Sequence, residues 1–381
     1  MRLATLALLF VAATAQAIPR FSLRTGAPCS MCHVDPTGAG MRTDYARSVY
    51  EVARLPLASL TLPRGASPLD ARLSDSVALG SDVRTLFQYA RRPDADQPKI
   101  GSFYLMEAAL YLSADLWQRL TLYMAPMLYG SETFAFEASA ITRLPWAGLY
   151  IKAGRFIPPF GWKVANHSAF TRKGLGFNVR DKQVGIEIGL NPGPFELQVA
   201  VVNGISEKAD SDWDENLLKA VSARAAWLMR TRWVNLELGA SAYYNVAGNP
   251  AEDDPSGADT RLEDLKVGGF AGLSVGRFTW LGEADYWRRD DRAAEFPVGQ
   301  MATYQELGCL LMQGLDLVLT YELHDPDVQV QGDALHRFGG GFELYAWPFL
   351  EIDAFYRYSL ADRRVESANV HEAMAVVHAF F

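Results

Sequence analysis

Over most of its length the chain alternates. Between Trp233 and Tyr244 the even positions Val234, Leu236, Leu238, Ala240, Ala242 and Tyr244 are apolar, whereas Asn235, Glu237, Gly239 and Ser241 take the odd ones. Leu350, Ile352, Ala354, Tyr356 and Tyr358 repeat the pattern against Glu351, Asp353, Arg357 and Ser359. A period of two marks β-strands with one apolar and one polar face. Counted from Val83 to Phe381, such segments number roughly sixteen, an even count that closes an antiparallel barrel with both ends on one side.

A soluble sandwich or barrel would bury its apolar face, whereas a membrane barrel turns it outward. Three features favour the membrane. Tight turns (Ala114-Asp115, 191–194, 313–316) alternate with long polar connections (203–216, 245–264, 288–300), as in outer-membrane barrels. Aromatic residues collect near strand ends at Trp146, Trp233, Trp280, Trp347 and Tyr358, where interfacial girdles lie. The last strand ends on Phe381 in phase with Ala373, Ala375, Val377 and Ala379, which resembles the assembly signal of outer-membrane proteins. The expected architecture is all-β: a transmembrane antiparallel β-barrel of about sixteen strands over 83–381, preceded by a small α-helical segment.

Composition agrees. Hydrophobic residues make up 49% of the 381 and aromatics 12%, yet beyond the first twenty residues no apolar run approaches the ~18 that cross a bilayer as a helix. Arg2, the run Leu3 to Ala13 and Ala15-Gln16-Ala17 read as a secretory signal peptide over 1–17, with an uncleaved anchor as the alternative. A net charge of -8 without a basic tract disfavours nucleic acid, which is not expected as a partner. Of three cysteines, Cys309 falls in a strand as a small apolar residue, so disulfides are not the framework.

The other two stand in Cys29-Ser30-Met31-Cys32-His33. One helical turn presents both thiols to the two vinyl groups of a haem, and the adjoining His33 offers the iron its proximal imidazole. This predicts one covalent haem c on Cys29, Cys32 and His33. A disulfide, a thioredoxin-type thiol pair and, less well supported, a zinc site remain as alternatives. Met31 should point away from the iron. For the sixth position, Met41 is the nearest thioether and His167 a more distant candidate, and an open site stays on the table.

Around this motif, Pro19, Phe21, Thr25 and Gly26 occupy places that resemble the N-terminus of the fused monohaem cytochrome c-porin family of bacterial outer membranes, some of whose members oxidise extracellular iron. Downstream, residues 34–42 depart from the Gly-Arg-x-Phe-type segment of the iron-oxidising members. The resemblance implies extracellular electron transfer at the outer membrane of a Gram-negative bacterium. Electrons would pass between an extracellular or lumen-bound redox partner, Fe²⁺ among the candidates, and a periplasmic electron carrier. Whether the activity is enzymatic is left open. The alternative is a passive, cation-leaning porin whose Cys-x-x-Cys motif is structural or regulatory.

Residues 18–55 thus read as the cytochrome-like segment. Asp35-Pro36-Thr37-Gly38-Ala39-Gly40 is turn chemistry beside the haem, and Thr43 to Leu55 an amphipathic helix with Tyr45, Val49 and Val52 on its apolar face. Residues 56–82, with Pro56, Pro63 and Pro68, read as a linker. At about 3.3 Å per extended residue it is long enough to let the segment fold back into the barrel mouth. Two expectations concern the lumen. Glu187, Glu196, Glu237, Glu283, Asp285, Asp316, Glu322, Glu343, Glu351 and Asp353 fall on the polar faces and make it acidic, with fewer bases such as Lys152 and Arg357. The connection 157–182, between the fifth and sixth strands, either folds inward as in general porins or stays outside.

Overall fold

The computed structural model describes residues 19–63, 70–91, 99–128, 136–164, 166–179, 181–204, 214, 216–248, 260–291, 296–362 and 369–381. The signal-peptide reading of 1–17 lies outside them. Sixteen strands run β1 Val77–Arg91, β2 Ile100–Leu116, β3 Leu120–Ala125, β4 Glu137–Arg143, β5 Tyr150–Phe156, β6 Gln183–Leu190, β7 Phe195–Val202 and β8 Ala220–Arg230. They continue as β9 Val234–Ala247, β10 Leu262–Val275, β11 Phe278–Asp291, β12 Val298–Met312, β13 Leu315–Asp325, β14 Leu335–Trp347, β15 Leu350–Ala361 and β16 Val370–Phe380. Each pairs antiparallel with its neighbours in sequence, and β1 pairs with β16 from Asp82↔Phe380 to Arg91↔His371, which closes the barrel.

The alternation is inside out for a soluble protein. On β7, Phe195, Leu197, Val199 and Val201 are exposed, while Gln198, Ala200 and Val202 are buried. Only a solvent as apolar as lipid makes an outward band of this kind favourable, so the chain folds as a transmembrane barrel. The tight-turn end carries exposed Trp117, Trp146, Trp233 and Trp347, consistent with an interfacial girdle.

Two boundaries differ from expectation. β1 opens at Val77, so the last six residues of the expected 56–82 linker are strand; Gly80, Ser81 and Asp82 interrupt the apolar alternation that would have revealed it. The turn expected at Ala114-Asp115 lies at Trp117–Arg119, because β2 stays paired to β3 through Leu116↔Leu120.

The barrel interior is occupied. Helix α1 (Pro19–Thr25), the single turn α2 (Cys29–Cys32) and a π-helical turn Ala46–Tyr50 running into α3 (Glu51–Ala53) form a segment inside the tight-turn end. It is bound to the wall on every side. Arg20 ion-pairs with Glu306 of β12 at 2.6 Å and with Glu343 of β14. Arg24 meets Asp316 of β13 at 2.5 Å, and Arg42 meets Asp82 of β1 at 3.2 Å. Lys152 of β5 holds both oxygens of Asp35 at 3.2 Å, and Asn235 of β9 donates to the Leu23 carbonyl at 2.7 Å.

The connection 157–182 folds inward above this plug. Phe160 stacks on Phe177 with centroids 4.3 Å apart, and the Trp162 amide donates to Glu283 at 3.1 Å. Ser222 of β8 donates to the Pro159 carbonyl at 2.6 Å. The helix from Ala46 through α3 has an unusual buried face as a result: Ala46, Arg47, Glu51 and Val52 are buried, while Tyr45 is exposed. A helix lodged in a polar lumen meets charges, so it buries charges, and the apolar face assigned to Tyr45, Val49 and Val52 does not form as such.

Candidate functional site

The Cys29–Cys32 turn is fixed locally. The His33 amide donates to the Cys29 carbonyl at 2.9 Å and the Met31 amide to the Pro28 carbonyl at 3.0 Å, which places residues 29 and 32 on one side. Met31 is exposed and stands outside the cavity that the two cysteines face. After the turn, His33 pairs with Arg42 as an isolated β-bridge, so residues 34–41 form a closed loop. Gly38 and Gly40 adopt φ of +85° and +64°, and a Cβ on Gly40 would strike the Tyr123 hydroxyl. Only glycine meets both demands at position 40.

Cys29, Cys32 and His33 all open on one cavity, about 870 Å³ of empty space when its opening to solvent is included. Its aromatic wall is Phe21, Tyr50, Tyr345 and Phe380; Phe21 makes an edge contact with Tyr345 at 5.7 Å and a tilted one with Tyr50 at 6.1 Å. Its charged wall is Arg42, Glu51, Arg84, Glu351 and His378, which joins plug to barrel. An apolar wall facing a charged one suits an amphipathic cofactor.

The chemistry of the motif separates the alternatives. The thiols are not joined. Burial, then Glu196 and Glu237, pushes the Cys29 thiol up to about 12. Burial, then Glu51, pushes the Cys32 thiol up to about 11. A redox-active Cys-x-x-Cys pair needs the opposite shift, toward thiolate. Among the described residues no group of three or more His, Cys, Asp or Glu could hold a metal ion, so nothing gathers to complete a zinc site around the two thiols.

Burial, then Arg42, lowers the His33 imidazole to about 4, and its Nδ1 is buried without a hydrogen-bond partner. A neutral imidazole with an orphan nitrogen is the form that ligates a metal. These residues fit haem c. Cys29 and Cys32 would carry the thioethers, His33 the iron, and Arg42 and Arg84 would face the acidic edge of the macrocycle.

Neither expected sixth-ligand candidate lines the cavity. Met41 is buried among Tyr111, Tyr123 and Ala109 on the β2–β3 side. His167, in the inward loop, faces the Arg84 guanidinium through Nε2 at 3.4 Å. Cys309, on β12, is half-buried. Arg42, Arg84, Tyr345, Glu351, His378 and Phe380 were not singled out from sequence as parts of this site. His378 and Phe380 did carry a signal, since the phase of β16 that turns Ala379 outward turns both of them inward.

The expected lumen carboxylates do face inward, but most are neutralised. Arg224 pairs with Glu237 at 3.0 Å and Glu196 at 3.4 Å, Lys152 with Glu187 at 3.1 Å, and Arg337 with Glu322 at 2.5 Å. The counter-charges come from the plug and from wall arginines, so the lumen field is weaker than a count of carboxylates implies. Glu283, through one oxygen, Asp285, through both, and Asp353, through one, keep buried oxygens without hydrogen-bond partners.

The barrel has the porin fold. It is similar to an anion-selective porin from Comamonas acidovorans (TM-score 0.61, 12% identity, 80% of this chain and 99% of that one). It is similar also to the outer-membrane channel DcaP of Acinetobacter baumannii (TM-score 0.57, 13% identity, 82% and 100%). A third is OprB of Pseudomonas putida (TM-score 0.57, 11% identity, 80% and 94%). No protein-family model matches the sequence, and no curated protein matches it.

Proposed function

We propose that the chain is an outer-membrane porin-cytochrome. One covalent haem c sits inside the periplasmic end of the barrel and passes electrons between an extracellular or lumen-bound redox partner and a periplasmic carrier. The observation that carries this reading is the cavity onto which both thiols and the neutral His33 imidazole open, inside a porin-fold barrel. A structural or regulatory role for the motif would not require both thiols and the imidazole to open on one shared cavity.

The group's contribution is a one-electron iron couple. The chain's own residues do the rest. Cys29 and Cys32 would anchor the group through thioethers, His33 would hold the iron, and Phe21, Tyr50, Tyr345 and Phe380 would exclude water, while the ion pairs of Arg20, Arg24 and Asp35 hold the segment in the lumen. Ferrous iron is the proposed donor, with the buried lumen carboxylates Glu283 and Asp285 proposed to attract it.

A second reading is a passive diffusion channel: the likeness to porins supports the channel fold, and only the inward-facing carboxylates would give it a cation preference. A plug anchored to β1, β5, β9, β12, β13 and β14 weighs against it. The test is a reduced-minus-oxidised visible spectrum of protein purified from cells with intact haem-attachment machinery. Bands of a c-type haem support the porin-cytochrome; a colourless, correctly folded barrel with large steady conductance replaces it by the channel.

A further inference from the structure

We propose that His378 is the second axial ligand of the iron, opposite His33; this rests on the haem reading of the cavity. Of the six histidines in the chain, only His33 and His378 line the cavity, and among the described residues no methionine does. With Cys29 and Cys32 committed to thioethers, His378 is the remaining nitrogen or sulfur donor of ligating type in the lining.

One of its two ring contacts is of the kind a metal-binding histidine makes. Nδ1 lies 2.6 Å from Glu351 Oε2 on the adjacent strand β15. A histidine that binds a metal through one nitrogen almost always donates the other N–H to a carboxylate or carbonyl, which fixes tautomer and ring orientation. Nε2 lies 3.0 Å from Asp82 Oδ1. Ligation requires Nε2 to release that contact in the neutral tautomer, and Asp82 is left satisfied when it does. Tyr111 donates to its other oxygen at 2.7 Å and Arg42 pairs with it at 3.2 Å. The site therefore tolerates the exchange without creating a bare buried carboxylate.

Placement adds a second argument. His378 sits on β16 opposite Arg84 of β1, at the seam where the barrel closes, whereas His33 comes from the plug. A bond from each to one iron would staple the N-terminal segment to the last strand, and two imidazoles would give a low-spin iron whose ligands change little between oxidation states.

The competing explanation is that His378 merely bridges Asp82 and Glu351. Full-length His378→Ala and His378→Gln variants distinguish the two, the glutamine retaining hydrogen-bonding capacity while losing the imidazole. Covalent haem is first counted by denatured mass, which tests the underlying reading separately. Ferric absorption and electron paramagnetic resonance then report ligation. The expected result is a low-spin wild type, high-spin His378→Ala and His378→Gln, restoration of the low-spin signal in His378→Ala by added imidazole, and no change in Met41→Leu or His167→Gln. A high-spin wild type, or low-spin spectra in both His378 variants, overturns the proposal. A phenolate-type spectrum would assign the position to Tyr50 or Tyr345 instead. If a variant fails to insert, shown by loss of the mobility difference between unheated and boiled protein, the wild-type spectrum alone still decides whether two strong-field ligands are present.

Discussion

Removing one arginine should unseat the plug. Arg20 is 1% exposed, bonds Glu306 at 2.6 Å and Glu343 on a second strand, and lays its stem on Gly308, where a Cβ would strike its Cδ. Arg20→Ala leaves two inward carboxylates without their cation. Breaking a buried pair in this way costs roughly 3–5 kcal/mol. The side chains of Glu306 and Glu343 retain 10% and 20% exposure, Glu306 keeps the Tyr304 hydroxyl at 2.6 Å, and water enters the gap. The lower end, about 3 kcal/mol, therefore applies. That is roughly a hundredfold in the docking equilibrium. Limited proteolysis of the 19–60 segment reads this directly when opening is fast relative to cleavage. Cleavage should accelerate by about two orders of magnitude, and planar-bilayer recordings should show openings absent from wild type. Adding Glu306→Gln and Glu343→Gln to Arg20→Ala should recover part of the loss, because the unpaired charges are gone. Equal cleavage rates in wild type and Arg20→Ala, with both barrels intact, would refute the argument that this ion-paired arginine holds the segment in the lumen.

The remaining predictions are shorter. Cys29→Ala or Cys32→Ala should lose two-thioether haem by mass spectrometry, whereas His33→Ala should keep covalent pigment with an altered spectrum. The full-length protein should migrate faster unheated than boiled on a detergent gel, since a closed barrel resists unfolding; identical mobility with recovery in the soluble fraction would remove the membrane assignment. Gly40→Val combines a positive φ with a collision at Tyr123 and should cost about 1–3 kcal/mol in plug docking, seen as faster proteolysis and lower haem occupancy. Glu283→Gln with Asp285→Asn should slow reduction by external Fe²⁺ several-fold while sparing a neutral reductant; equal effects would show that these carboxylates play no part in cation delivery.

What the sequence determined by itself was local. A period of two needs only neighbouring residues, and sixteen strands were countable because each announces its own faces. The helical turn at Cys29–Cys32 with His33 beside it, and the glycines at 38 and 40, are likewise decided within a dozen residues. The errors were also local: β1 began unseen where Gly80 to Asp82 interrupt the alternation, and Asp115 passed for a turn residue although the strand continues to Leu116.

Tertiary structure decided whatever depends on closure. Arg20 and Glu306 meet across 286 residues and Asp82 and His378 across 296, and no periodicity encodes such a meeting. The same holds for the inward fold of 157–182 and for the neutralisation of the lumen carboxylates by plug and wall arginines. The helix around Ala46–Ala53 shows why: its buried face is set by what it lies against, and a polar lumen reverses the rule that apolar residues go inside. Alternation can say which residues share a face of a strand; only the closed barrel says what stands opposite them.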